Sequence, residues 1–372
     1  MTLAAEIIGA ANREFAADDL LRAKMKAAKK LSPEDARSAS RAVFAYYRWH
    51  GWLKMQQPMS DRITHALELT ENFAKRPLTF SNEELTTLAV PAWTNGTMEV
   101  LPAWIRAIQG EPRLWLRAKQ GQGMALAEAL GDTWIADNPL LAEAVEYLGA
   151  EDLFRTREFQ SGQFEIQDVA SQAVGLVAAP KPGETWWDAC AGSGGKTLHL
   201  SDLMQNKGLI WASDRAEWRL KKLKLRTARA KCFNYRSVVW DGGAKLPTRT
   251  KFDGVLVDAP CSGMGTWQRN PHARWTVVPN DVRELAVIQH QLLAHAAPSV
   301  KPGGKLIYSA CTLAHAETMD VAASFEQQFL DFTPLPLDNP FLPDTKPSAR
   351  QMFWPQDCGG SGMFVAAWQR KA

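Results

Sequence analysis

A chain of 372 residues, 46% hydrophobic and 22% charged, has material for two folded domains and excludes global disorder. Forty-three Lys and Arg against 40 Asp and Glu leave a net charge of +3, which neither demands nor excludes a nucleic-acid partner, so any such partner has to be argued from local patches. Five cysteines without a Cys-x-x-Cys pair disfavour a disulfide framework and a metal site and fit a reducing compartment, and no run of 18 apolar residues marks a membrane span. Glu6 and Arg13 interrupt the apolar stretch near the start, so no signal peptide is indicated and a cytoplasmic, monomeric protein is expected.

Residues 1–92 read as helix upon helix, with Ser32-Pro33 marking one helix start. From Asp35 to Arg48, Ala36, Ala39, Val43 and Tyr47 recur at helical spacing while Arg37, Arg41 and Arg48 lie off that stripe. The expectation is a packed helix with a solvated basic face; an RNA-contacting face is the alternative. Residues 93–179 form a linking segment of mixed pattern. Within it, Pro112 to Lys119 alternates apolar and basic residues, which puts Arg113, Arg117 and Lys119 on one face of a strand, either contacting phosphates or protecting an exposed edge. Gly162–Gln167 reads as another strand, and Asp168 as the cap of the helix through Ser171–Val177.

The third region, residues 180–372, opens with the turn Pro182-Gly183, the strand Thr185-Trp186-Trp187, and the loop Asp188-Ala189-Cys190-Ala191-Gly192-Ser193-Gly194-Gly195-Lys196-Thr197. Such a glycine-rich loop between strand and helix brings backbone N–H groups close to a ligand. It fits neither the Walker pattern, which needs glycine where Cys190 stands, nor the dinucleotide pattern, which needs glycine where Thr197 stands. Further strands end in acids: Leu209–Ser213 in Asp214, Val238–Trp240 in Asp241, and Val255–Val257 in Asp258. Four acids with a glycine-rich first loop describe an adenosine-containing cofactor across the strand ends of an α/β sheet, and S-adenosyl-L-methionine suits better than a dinucleotide.

Two cysteines stand where strands deliver their last residues. Cys261 follows Asp258-Ala259-Pro260, and Cys311 follows Leu306–Ala310 behind the turn Lys301-Pro302-Gly303-Gly304. Both sulfurs can face one ligand with Asp258, and the residues alone do not rank them. Cys190, Cys232 and Cys358 read as structural thiols. The helix Arg215–Lys231 holds eight basic residues against Glu217, with Ala216, Leu220, Leu223 and Thr227 towards the sheet, and reads as a solvated surface. Arg269, Asn270, His272, Arg274 and Trp275, following Cys261, are candidates for RNA backbone contact and base stacking. Leu285, Ile288 and Leu292 mark a helix before the Cys311 strand, and Gly362–Trp368 a closing strand.

From about Leu101 onward the chain resembles the RsmB/NSUN-type RNA cytosine-5 methyltransferases. Asp188–Thr197 is similar to the family's DxCAAPGGKT, Asp258–Pro271 to DAPCSGxGxxRRxP, Tyr308–Leu313 to YSTCS, Phe164–Ser171 to FxVQDxAS, and Met363–Ala366 to GFFVA. It departs at Gly192-Ser193 for Ala-Pro, at Gln268 for arginine, at Ala310 for threonine and at Thr318 for asparagine. The first, helical part resembles more loosely a NusB-like RNA-binding domain. The resemblance implies a class I, Rossmann-like methyltransferase sheet after a helical N-terminal domain, with S-adenosyl-L-methionine held by Cys190, Ala191, Gly192, Ser193, Gly194, Gly195, Lys196, Asp214, Asp241 and Asp258. It implies 5-methylcytosine formation in RNA, with 16S ribosomal RNA ahead of transfer RNA as substrate. Cys311 is then the nucleophile, Cys261 assists product release, and Asp258 contacts N3 of the base. A non-catalytic RNA-assembly factor on the same fold is the reading from another class.

Overall fold

The computed structural model describes residues 1–27 and 32–372. Its contacts divide the chain into two compact units, Met1–Pro112 with Ser262–Val282, and Arg113–Cys261 with Arg283–Ala372. A division by helical content at 92 and 179 does not see this return of the chain, because the returning stretch carries no composition of its own. No helix among the described residues is long and apolar enough to cross a membrane.

The first unit is helical: Thr2–Ala10, Ala17–Ala27, Pro33–Arg48, Met59–Lys75, Asn82–Leu88 and Pro102–Gln109. The Ser32 hydroxyl accepts from Asp35 N and starts the third helix. Its buried face runs through Ala39, Ala42, Val43, Ala45 and Tyr46. Arg48, three residues past Ala45, therefore falls inside the unit rather than on a solvated face, at 3% exposure, and burial lowers its pKa to about 10. The returning stretch Ser262–Val282 is seated among these helices. Arg274 is fully buried: it donates to Trp267 O at 3.0 Å, to Gln109 Oε1 at 2.6 Å and to Ile108 O. Trp275 Nε1 donates to Tyr47 O at 2.7 Å, and His272 is buried with its ring against Tyr47. His272 and Arg274 are thus spent on the interior of the unit and Trp275 is half-buried against it, contrary to the expectation from sequence; Arg269 is exposed and Asn270 half-buried.

The second unit holds two sheets. The smaller is built from β1 (Leu114–Ala118), β2 (Thr133–Ile135), β3 (Ala144–Tyr147) and β4 (Phe164–Ile166), in the order β2-β3-β1-β4. β1 is thus central, paired antiparallel to β3 and β4, and is neither an edge nor a phosphate-facing strand. Arg117, at 4% exposure, donates to Gln167 Oε1 at 2.7 Å and pairs with Asp202 at 3.3 Å; Lys119 donates to Ala230 O, and Arg113 pairs with Glu146. The larger sheet contains β5 (Thr185–Asp188), β6 (Leu209–Asp214), β7 (Tyr235–Val239), β8 (Phe252–Asp258), β9 (Val300–Ala310), β10 (Phe332–Pro334), β11 (Arg350–Phe353) and β12 (Met363–Arg370). Its order is β7-β6-β5-β8-β9-β12-β10, with β11 on β12. β5 to β9 run parallel and β12 antiparallel to β9.

The central strands are apolar on both faces because both are covered. Trp187, Val255, Val257 and Tyr308 pack to one side, and Trp186, Leu256 and Ile307 to the other. Gly254 lies under the Trp186 ring, where a Cβ would come within 2.3 Å of it. The turn at Gly303 sits inside β9 as an irregularity: Phe252 pairs with Val300, but Gly254 with Lys305. From β5 the chain goes out to β6 and β7, then crosses to β8 on the other side of β5, which makes the strand ends of β5 and β8 a topological switch point.

Candidate active site

At that switch point the second unit has a cleft of about 430 Å³, within the range of small-molecule sites. Its wall includes Asp188, Cys190, Ala191, Gly192, Ser193, Gly195, Lys196, Asp214, Asp241, Asp258, Cys261 and Cys311. Residues dispersed over more than 120 positions of sequence are thus brought together by the ends of five parallel strands. Gly194 is turned away, with φ +91° and Leu223 packed where its Cβ would be, and forms the N-cap of the helix Gly195–Leu203.

The loop is braced by Asp214, the acid that ends β6. Asp214 accepts from Gly192 N at 3.0 Å and Ala216 N at 2.8 Å, and Arg219 approaches it at 3.8 Å. Gly192 takes φ +55°, a left-handed turn that glycine adopts without a Cβ penalty. Asp241 is exposed, accepting from Gly243 N. Asp188, at the end of β5, accepts from Thr197 Oγ1 at 2.6 Å, and its other oxygen is buried without a hydrogen-bond partner among the described residues. Burial pushes this carboxyl up to about 7. Burial, reinforced by Asp188, Asp258 and Asp214, likewise raises the Cys190 thiol well above its ordinary value.

The two cysteines meet. Cys261 Sγ and Cys311 Sγ are 3.3 Å apart, because β8 and β9 are neighbours in parallel register with Asp258 opposite Ser309. Asp258 is gripped on both oxygens, by Lys196 Nζ at 2.7 Å and by Ser309 Oγ at 2.8 Å. Lys196, expected with the cofactor loop, is thus also an ion-pair partner of the acid expected at the base. Ser309 was not singled out from the sequence; the signal was a hydroxyl inside the apolar run of β9. Trp240, Arg215 and Arg219 also line the cleft. The basic helix Glu217–Ala230 is accordingly not a uniformly solvated surface: Arg226 and Arg229 pair with the buried Glu165, while Arg219 turns to the cleft.

This donor set fits an adenosine-bearing cation. The cleft offers main-chain amides at the start of a helix, an acid at the end of β6 and another after β7, and a buried carboxylate oxygen at β5 without a donor among the described residues.

Comparison with known proteins adds four findings. The chain is 40% identical over 185 residues to a probable ribosomal RNA small subunit methyltransferase B from Synechocystis, covering 48% of this chain and 41% of that protein. It is 35% identical over 237 residues to the probable enzyme of the same name from Bacillus subtilis, covering 62% of this chain and 53% of that protein. The chain thus spans about half the length of these curated relatives. The crystal structure of a methyltransferase homologue from Pyrococcus horikoshii superposes with a TM-score of 0.62 at 26% identity, covering 72% of this chain and 90% of that one. The mixed sheet and its flanking helices are those of a class I S-adenosylmethionine-dependent methyltransferase. Residues 175–369, which include every strand end of the cleft, match the description 16S rRNA methyltransferase RsmB/F, and the chain belongs to that family.

Proposed function

We propose that this chain is an S-adenosyl-L-methionine-dependent RNA methyltransferase that forms 5-methylcytosine through a covalent cysteine–C6 intermediate, with 16S ribosomal RNA as substrate and transfer RNA as the second candidate. The observation that supports this reading is the pair of sulfurs 3.3 Å apart beside Asp258, on the cleft that also holds the glycine-rich loop. The names of the Synechocystis and Bacillus relatives point to the small ribosomal subunit. Residues 1–92, within the helical first unit, are the proposed RNA-binding part.

The cofactor, when bound, supplies a methyl group on a positively charged sulfur. Residues Cys190–Ser193, Gly195, Lys196, Asp214, Asp241 and Asp258 would hold it, with Gly194 shaping the loop and Asp188 behind them. Cytosine C5 is a poor nucleophile, and addition of the Cys311 thiolate to C6 turns the ring into an enamine whose C5 is reactive. A cysteine suits this step because part of it is thiolate near neutral pH and it leaves again readily. Asp258, braced by Lys196 and Ser309, is the group that hydrogen-bonds the N3 side of the ring and stabilises the charge that develops there. Once C5 carries its methyl group, Cys261, as thiolate beside Cys311, takes the C5 proton; the electrons of that C–H bond restore the C5–C6 double bond and the C6–sulfur bond breaks with its pair returning to Cys311 as thiolate. The target base has to be unpaired or flipped for these groups to reach it.

The test pairs two variants with methyl-labelled cofactor and ribosomal or transfer RNA, the modified base being located by bisulfite sequencing. Cys311→Ala is expected to give neither product nor protein–RNA adduct. Cys261→Ala is expected to accumulate the adduct on a denaturing gel. Equal adduct from both variants would refute the assignment of roles. Absence of methyl transfer to any RNA by the unaltered protein would favour the assembly-factor reading.

A further inference from the structure

A buried polar bridge ties the two cysteine-bearing turns to each other. Gln289, in the helix Pro279–Ala296, donates from one amide nitrogen to Pro260 O at 2.9 Å and to Glu317 Oε1 at 3.0 Å. Pro260 immediately precedes Cys261. The other carboxylate oxygen of Glu317 accepts from Thr312 Oγ1 at 2.7 Å, and Thr312 immediately follows Cys311. A third tether comes from β9, where Tyr308 OH donates to Glu317 O at 2.6 Å. Gln289, Thr312 and Glu317 are all fully buried.

The chemistry of each partner is specific. Two donors, an amide and a hydroxyl, converge on the side chain of residue 317, and only a carboxylate accepts on both of its ends. A glutamine there would turn an N–H towards one of those donors. Gln289 is used as a double donor, and its own Oε1 is buried without a hydrogen-bond partner among the described residues. Burying a carboxylate and orphaning an amide oxygen both oppose folding, so the gain from this network lies in what it positions.

We infer that Glu317 and Gln289 are positioning residues for the covalent step: through Pro260 and Thr312 they set the separation and direction of Cys261 and Cys311. This rests on the reading of those cysteines as nucleophile and release group. Neither residue belongs to the set expected to touch base or cofactor.

The test uses the full chain and a readout that does not depend on RNA chemistry, the bridging of Cys261 and Cys311 by dibromobimane, followed by fluorescence and located by peptide mapping. In Glu317→Gln, bridging slows several-fold and kcat falls by about 10- to 100-fold, as expected for misplaced reacting groups. KM for RNA and cofactor stays within about twofold, because ground-state binding is untouched. Thr312→Val gives the same pattern in weaker form, Thr312→Ser restores both rates, and this pair decides the matter should Glu317→Gln fail to fold. Wild-type bridging and turnover in Glu317→Gln, or in Thr312→Val where that variant decides, overturn the inference. Bridging that depends on Glu317 in a protein that methylates no RNA sustains the positioning role and defeats the proposed reaction instead.

Discussion

Burial at the end of β5 pushes the Asp188 carboxyl up to about 7, with the Thr197 hydrogen bond and Lys196 opposing the shift and Asp258 and Asp214 adding to it. A carboxyl raised above its unfolded value of 3.8 stabilises the fold fully below that value, and the contribution is lost as pH rises through about 7. Asp188→Asn removes this loss. The variant is expected to melt about 2–4 °C above the unaltered protein near pH 8, with the gap closing towards about pH 4, by thermal unfolding across that window. The acids and the two cysteines were legible because each closes an apolar run, so its place at a strand end follows from the pattern alone. Arg48, Arg117 and Arg274 were not. A formal charge argues for solvent until its partners are known, and those partners lie far away in sequence; Gln109 is 165 residues from Arg274.

At the scale of elements, β5, β6, β8 and β9 were readable from short apolar runs, and Asp168 does cap the helix Val169–Ala178. The place of β1 was not readable. Its alternating basic residues suit an edge, yet a strand's number of neighbours is set by partners that its own pattern does not encode, here β3 and β4. The glycine-rich loop yields a prediction at this scale. In Gly194→Ala, a left-handed backbone costs about 1–2 kcal/mol, and the new Cβ meets Leu223 Cγ at 2.8 Å, so loop or helix has to shift. Affinity for S-adenosylhomocysteine is expected to fall about tenfold by calorimetry, as a misaligned set of amides implies. Unchanged affinity would show that the loop does not hold this ligand.

For the whole molecule, the stretch that follows Cys261 belongs by its contacts to the helical unit. Arg274→Ala strips donors from Gln109, Ile108 O and Trp267 O, all buried around it, and a loss of about 3–5 kcal/mol is expected in denaturant unfolding, as when a buried charged group is taken from its partners. Arg274→Lys restores little, since one ammonium does not span acceptors that a planar guanidinium reaches together. The helical unit is therefore not a cassette. A graft that exchanges it as one continuous block, cut at Pro112, delivers helices stripped of the insert that completes their interior. Any chimera of this chain, natural or made, has to carry two separate lengths of gene in concert, the second beginning one codon after Cys261.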